Sequence, residues 1–414
     1  MRKNLLLILA VWIYSTISCA QGIDGTWHGN LDFNGQKLGL VFHFSKDENS
    51  RSFGKMDIPQ QGVRDMPVNL SLLPQDSISL HLPAIGMSYS GKLVQGKIKG
   101  IFKQNGMSFP MNLEKGNIDR PNRPQEPLPP FDYQTEEIYF TNNNANAVFS
   151  ATLTFPIGYT PEKRVPVVLM ITGSGPQDRN EEVFEHKPFL VIADYLAKNG
   201  IASLRYDDRG VGKSTGERTG CTSKDYAEDA DSGLQWLKDC GKFGKIGVLG
   251  HSEGGLIAFM LGAESKVDFI ISMAGPGIKG DTLLAEQQNA ALRIYGQPTD
   301  RTVESVRDEI NIQSKDSWLD YFINYDPTST IAQIKVPVMA LNGSNDLQVI
   351  SASNLNAIKK ILNKKNKKNF FKEYIGLNHL FQQCKISNSL DYYNIEETCS
   401  VEVLRDIVNW INSL

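Results

Sequence analysis

Lys245-Ile246-Gly247-Val248-Leu249-Gly250-His251-Ser252-Glu253-Gly254-Gly255-Leu256-Ile257-Ala258-Phe259-Met260-Leu261 is the stretch on which the reading of this 414-residue chain turns. A short apolar run leads in and a longer one leads out, which reads as a buried strand over 245–249 followed by a helix. Between them stands G-x-S-x-G. A serine presented at the carboxyl end of a parallel strand needs a sharp strand-to-helix turn, and flanking glycines let the backbone make it without clashes. The pattern recurs at Gly212-Lys213-Ser214-Thr215-Gly216. That copy lies several residues beyond its strand and runs into Glu217-Arg218-Thr219-Gly220, where no helix begins. Ser252 is therefore expected on the turn and Ser214 in a loop. Gly212-Lys213-Ser214 also mimics the end of a phosphate loop, but the first glycine of such a loop falls on Asp207.

Outward from the turn, strand and helix patterns alternate. Strands are expected over 165–171, 201–206, 245–249, 267–273, 336–341 and 370–375, and helices over 188–198, 224–238 and 401–411. Such alternation implies a mostly parallel sheet with helices on both faces. A mainly helical insertion, placed at about 276–335, interrupts it where a lid would sit. Its Leu283, Leu284, Ile294, Tyr295, Trp318, Tyr321 and Phe322 are expected to roof an acyl pocket. Toward the amino end the pattern changes. Residues 21–118 alternate short apolar and polar runs with glycine turns between them, as in Leu38-Gly39-Leu40-Val41-Phe42-His43-Phe44, and read as an antiparallel meander closing into a small sandwich or barrel. Pro121, Pro124, Pro127, Pro129 and Pro130 then make 119–135 a stiff linker, and 136–414 the α/β domain.

A serine hydroxyl is a poor nucleophile until a base takes its proton, and an acid must hold that base in the right tautomer. Where the nucleophile sits on such a turn, the chain order is Ser, acid, His. His379 is the one histidine after Ser252, and it follows the last core strand in Gly376-Leu377-Asn378-His379-Leu380-Phe381. Asp346 leaves a strand through Leu341-Asn342-Gly343-Ser344-Asn345 and is the candidate acid. Asp326, within the insertion, and Glu373, inside a strand, are its rivals. The oxyanion formed on attack needs two N–H donors. Glu253, next after the serine, supplies one. The other is assigned to Ser174, in the glycine-bearing loop Thr172-Gly173-Ser174-Gly175-Pro176.

Four segments in order carry a resemblance: Gly173-Ser174-Gly175-Pro176-Gln177-Asp178-Arg179, Tyr206-Asp207-Asp208-Arg209-Gly210-Val211-Gly212-Lys213-Ser214, Leu249-Gly250-His251-Ser252-Glu253-Gly254-Gly255 and Asn378-His379-Leu380-Phe381. From about residue 128 onward the chain resembles the EstD-type esterases of the α/β-hydrolase superfamily. The resemblance implies a mostly parallel α/β-hydrolase sheet with a helical lid, here preceded by a small all-β domain. It also implies carboxylesterase activity on short acyl esters, with Ser252, Asp346 and His379 as the triad and no metal or other cofactor. Thr172 departs from the pattern, standing where many members of the superfamily have His.

Composition bounds the partners. A formal net charge of -3 gives no pull toward phosphate backbones, so no nucleic acid is expected; a small-molecule ester is. The run Lys359, Lys360, Lys364, Lys365, Lys367 and Lys368 reads as the solvated face of a surface helix. Arg2 and Lys3 precede apolar residues 5–13, with small Ser18 and Ala20 before Gln21, the pattern of a secretory signal over 1–20. The run is too short for the roughly 20 residues of a membrane span. Export to the periplasm or medium is expected, with lipid anchoring through Cys19 the alternative. In an oxidising compartment Cys384 with Cys399 is the one local pairing to consider, because a helix between Cys221 and Cys240 holds them roughly 24 Å apart. Two rival functions stand beside the esterase: a serine peptidase of aminopeptidase type, and a non-catalytic binding protein on the same scaffold. Nothing in the sequence gives an oligomeric state.

Overall fold

The computed structural model describes residues 22–33, 36–49, 51–294, 296–313, 316–385 and 389–414. The expected signal segment, Cys19 and Tyr295 lie outside them. The chain divides into two compact units, with the boundary at Asp119 and Arg120.

The first unit is a closed antiparallel barrel. Its strands are β1 Gly25–Phe33, β2 Gln36–Lys46, β3 Ser52–Ile58, β4 Val63–Leu73, β5 Ser77–Leu82, β6 Met87–Val94, β7 Lys97–Gln104 and β8 Met107–Lys115, in that spatial order, with β8 returning to β1. Period-two alternation sends one set of side chains inward: Trp27, Phe42, Met56, Tyr89 and Leu113 fill the interior. The buried Tyr89 hydroxyl donates to the carbonyls of Ile98 and Met111. A Cβ on Gly100 would stand 2.5 Å from that hydroxyl, so glycine makes room for the tyrosine.

The second unit is built on an eight-stranded sheet of β9 Thr135–Asn142, β10 Ala147–Thr154, β11 Val167–Ile171, β12 Ala202–Tyr206, β13 Ile246–His251, β14 Phe269–Met273, β15 Val338–Gly343 and β16 Phe370–Tyr374. Its order is β16-β15-β14-β13-β11-β12-β10-β9. From β16 to β12 every pair is parallel; β10 and β9 add an antiparallel hairpin on the β12 edge. The sequence reading missed this hairpin. The helices are α1 Pro188–Lys198, α2 Ser223–Asp239, α3 Glu253–Ala263, α4 Gly280–Ile294, α5 Val303–Gln313, α6 Ser317–Asn324, α7 Thr328–Gln333, α8 Ser351–Leu362, α9 Ser389–Tyr392 and α10 Val401–Ser413. Separate apolar clusters cover the two sheet faces, one including α2, α3 and α8 and the other α1 and α10. Four consecutive helices, α4 to α7, form the insertion between β14 and β15.

Two smaller expectations change. Lys359 and Lys360 lie on the last turn of α8, but Lys364, Lys365, Lys367 and Lys368 lie in the turns before β16, because the helix stops at Leu362. All four described cysteines are free, Cys384 and Cys399 included. The proline-rich segment is held on the second unit: the Arg123 guanidinium donates to the carbonyls of Tyr393 and Ile395, and Gln125 bonds the backbone of Thr398 and Cys399.

Candidate active site

β13 lies between β11 and β14, near the middle of the sheet, and all its residues are buried. It ends at His251 and α3 begins at Glu253, so Ser252 alone makes the turn, with φ 53° and ψ -121°. A non-glycine residue held there costs about 1–3 kcal/mol and persists only where its surroundings enforce it. Here the glycines do. A Cβ on Gly250 would stand 1.9 Å from the Gly254 carbonyl oxygen, and one on Gly254 2.1 Å from that of Ile171. Helix α3 is thereby seated against β11 and β13, and the serine is pushed out at the sheet's carboxyl edge.

Ser252 opens on a cavity of about 360 Å³ that is also lined by Ser174, Glu253 and His379. His379 follows β16 in a loop braced by Asn378, whose side-chain oxygen accepts the N–H groups of Leu380 and Gln382. Its Nδ1 lies 2.8 Å from Asp346 Oδ2. The second Asp346 oxygen accepts the N–H groups of Gln348 at 2.8 Å and Val349 at 2.9 Å. The Asp346 side chain is fully buried behind the ring. The rivals lie elsewhere: Asp326 is exposed and caps Thr328, and Glu373 is exposed on β16. The Ser252 hydroxyl and the His379 ring share the cavity wall without a hydrogen bond between them, a contact that commonly tightens only when substrate binds.

Ser174 and Glu253 both face this space. The Gly173 N–H is spent on Glu181 Oε1 at 2.8 Å, whereas among the described residues no hydrogen bond engages the Ser174 N–H. The loop that carries Ser174 is gripped at both ends by Asp208, which accepts the Thr172 hydroxyl and the Gln177 N–H. Thr172 thus anchors the loop to Asp208. Burial drives the Asp208 carboxyl well above the usual carboxylate range. The Glu253 side chain accepts from Ser223 Oγ at 2.5 Å and from Trp318 Nε1 at 2.8 Å, tying the insertion to the residue beside the serine.

Of the expected roof, Leu283, Leu284, Trp318 and Phe322 line the cavity. Tyr321 does not; it lines a separate groove with Tyr325, Met260 and Leu261. Ile294 is absent from the lining as well. Sequence reasoning passed over Glu181, Asp208 and the Trp318–Glu253 contact. Ser214 is a structural staple: it donates to the Asp207 carbonyl and accepts the Ser150 N–H. Among the described residues no group of His, Cys, Asp and Glu is placed to hold a metal ion.

A parallel sheet with an antiparallel edge, a serine on a strained strand-to-helix turn, and an Asp–His pair from the loops after β15 and β16 make up the arrangement of the α/β-hydrolase fold. The family described as "Serine aminopeptidase, S33" matches residues 187–340. Esterase EstD of Thermotoga maritima is 25% identical over 269 residues, 63% of this chain and 64% of that protein. An acyl transferase of Photobacterium leiognathi is 33% identical over 88 residues, 21% of this chain and 28% of its own. The match therefore spans less than two thirds of these curated relatives. The solved esterase Pf2001 of Pyrococcus furiosus covers 72% of this chain and 99% of its own, at 16% identity and a TM-score of 0.48.

Proposed function

We propose that this chain is an exported serine carboxylesterase acting on short acyl esters. The observation that carries the reading is the strained Ser252, opening on one cavity with a His379 ring whose far nitrogen is held 2.8 Å from a buried Asp346. In this reading Ser252 Oγ attacks the ester carbonyl as His379 Nε2 takes its proton. The backbone N–H groups of Glu253 and Ser174 receive the oxyanion. His379 then protonates the departing alcohol, leaving the acyl group on Ser252. Water, deprotonated by the same ring, releases the acid and restores the serine.

An aminopeptidase is the second reading, favoured by the description of the matching family. It needs a carboxylate to receive the substrate's ammonium group. Two carboxylates line the cavity wall. Glu181 Oε1 meets the Gly173 N–H and His251 Nδ1, while its Oε2 is buried without a partner among the described residues. Glu253 Oε1 accepts from Ser223 and Trp318. Aminoacyl amides in the substrate series test whether either carboxylate receives an ammonium group.

The cavity is at the small end of the roughly 300–1,000 Å³ of ligand sites, and a longer acyl chain gains roughly 0.8 kcal/mol per methylene only while there is space to bury it. Across a graded series of acyl esters and aminoacyl amides, kcat/KM is expected to peak between acetyl and hexanoyl esters, with the amides far slower. Trp318→Ala should move the optimum to longer chains, and Tyr321→Ala should leave it in place. Faster turnover of aminoacyl amides than of any ester overturns the reading. An unchanged profile in Trp318→Ala removes the roof.

Export rests on residues 1–20. Among the described residues no helix is long and apolar enough to cross a membrane. The expected outcome is protein outside the cytoplasm beginning at Gln21, read by mass spectrometry. A diacylglycerol-modified Cys19 would replace the soluble form by an anchored one, and an uncleaved cytoplasmic chain would end the proposal.

A further inference from the structure

His251 stands immediately before the serine, and both nitrogens of its ring face acceptors. Nδ1 lies 2.9 Å from Glu181 Oε1, and Nε2 lies 2.9 Å from the carbonyl oxygen of His379. A neutral imidazole has one N–H and one lone pair, so it can satisfy only one of them as a donor; the doubly protonated ring satisfies both. A carboxyl proton directed at Nδ1 is the other way to satisfy that contact. It is disfavoured because Glu181 Oε1 also accepts the Gly173 N–H at 2.8 Å, and a donor on that oxygen stabilises the ionised carboxylate. The two side chains are 8% and 2% exposed, so water scarcely competes for either.

We propose that Glu181 and His251 form a standing carboxylate–imidazolium pair that positions the acyl-transfer machinery, a role that rests on the hydrolase reading above. Three separate pieces of chain meet in it. Glu181, itself at φ 53°, holds the oxyanion loop through the Gly173 N–H. His251 is the last residue of β13 and leads directly into Ser252. Its Nε2–H holds the backbone of His379, the proposed base. Neither residue need touch the reacting atoms; both act by fixing where those atoms are. Uncharging the ring would free one of the two contacts and loosen either the oxyanion loop or the base.

The surroundings favour the charged form. Burial is the largest single influence on the ring and opposes protonation. It is outweighed by the Glu181 charge and hydrogen bond, the His379 carbonyl and the Asp346 charge, so the pKa of His251 is raised above the ordinary histidine value. The charged and titratable groups facing the ring are Glu181 from the loop after β11, Asp346 from the loop after β15 and His379 from the loop after β16. The two histidine rings lie 4.7 Å apart. On the turn itself Glu253 directs its carboxylate to Ser223 and Trp318. A raised pKa keeps the proton on the ring as pH climbs through neutrality, and the pair fails only on the alkaline side. Removing the Glu181 charge lowers that limit.

The test uses the full chain with ¹⁵N-labelled histidine, and Glu181→Gln beside the wild type. In the wild type one histidine ring, assigned through its loss in His251→Asn, should carry hydrogen on both nitrogens at neutral pH, where an ordinary histidine is mostly uncharged. In Glu181→Gln the same ring should lose a proton below that pH. Ester hydrolysis by Glu181→Gln should fall about ten-fold or more in kcat at the same pH with KM little changed, and the deficit should narrow toward about pH 6 as the ring recharges. A wild-type His251 that is singly protonated at neutral pH overturns the proposal without reference to activity. So does a Glu181→Gln deficit that is the same at every pH. If the wild type hydrolyses no ester, the esterase reading falls, and the ring's titration still decides the pair.

Discussion

Ser252→Ala is expected to lower kcat for a short ester by about 10⁴ to 10⁶-fold and to abolish covalent labelling by a fluorophosphonate. The size follows from what remains. The oxyanion donors and the cavity survive, but water must attack without a nucleophile held at the carbonyl. The fold should be unaffected, since alanine meets the same backbone strain at φ 53° as serine does. Ser214→Ala is the control, because it removes the serine of the other G-x-S-x-G match. Its hydroxyl bridges the Asp207 carbonyl and the Ser150 N–H in a buried position. Leaving those groups unpaired costs about 1–3 kcal/mol of stability. That variant should therefore melt earlier yet label with fluorophosphonate as the wild type does. Equal loss of labelling in the two variants would sink the assignment of Ser252.

The turn at Ser252 was legible because its requirements are local. A strand, two glycines and a helix are contiguous in sequence, and the close approaches at Gly250 and Gly254 account for both glycines. The β9–β10 hairpin was passed over although part of its signal was present. Phe149-Ser150-Ala151-Thr152-Leu153-Thr154 alternates apolar with polar residues, and Phe149, Ala151 and Leu153 join one apolar cluster, but all six are buried between β9 and β12, so the polar members mark no solvent face. The roof shows a different limit. Trp318, Tyr321, Phe322 and Tyr325 form one aromatic cluster in sequence, but a period of 3.6 divides them into two i,i+4 stripes. Trp318 stacks on Phe322 at the cavity, and Tyr321 stacks on Tyr325 in the neighbouring groove.

Glu181 and Asp208 show why supporting residues escape a reading from motifs. Each lies in or beside a quoted segment, yet its partners are remote: Glu181 meets His251 seventy positions on, and Asp208 meets Thr172 thirty-six positions back. Only the parallel register of β11, β12 and β13 brings those strand ends together. The available signal was chemical. An acid two residues after Asp178-Arg179, close to a glycine loop expected to present N–H groups, has donors nearby to collect.

Asp346→Asn is expected to keep the fold and to lower kcat by about 10⁴-fold, through the proton on the wrong nitrogen of His379. Asp346 divides its work between two oxygens. Oδ1 accepts the backbone N–H groups of Gln348 and Val349, and Oδ2 accepts from His379 Nδ1. An asparagine can present its oxygen to only one of these sides. Turning the amide so that the oxygen meets His379 would point its NH₂ at two backbone donors that nothing else satisfies, an arrangement with two buried N–H groups unpaired. The oxygen therefore stays on the backbone side, and the NH₂ donates to Nδ1. A neutral ring that accepts at Nδ1 carries its proton on Nε2, the nitrogen that must take the serine proton, and so it cannot act as base. Because both backbone contacts survive, the melting temperature should fall by no more than a few degrees. KM should move little, since Asp346 does not line the cavity. Fluorophosphonate labelling should slow in step with kcat, for it needs the same proton transfer. Turnover near the wild-type rate would show that Asp346 is a turn residue and that His379 is oriented by something else.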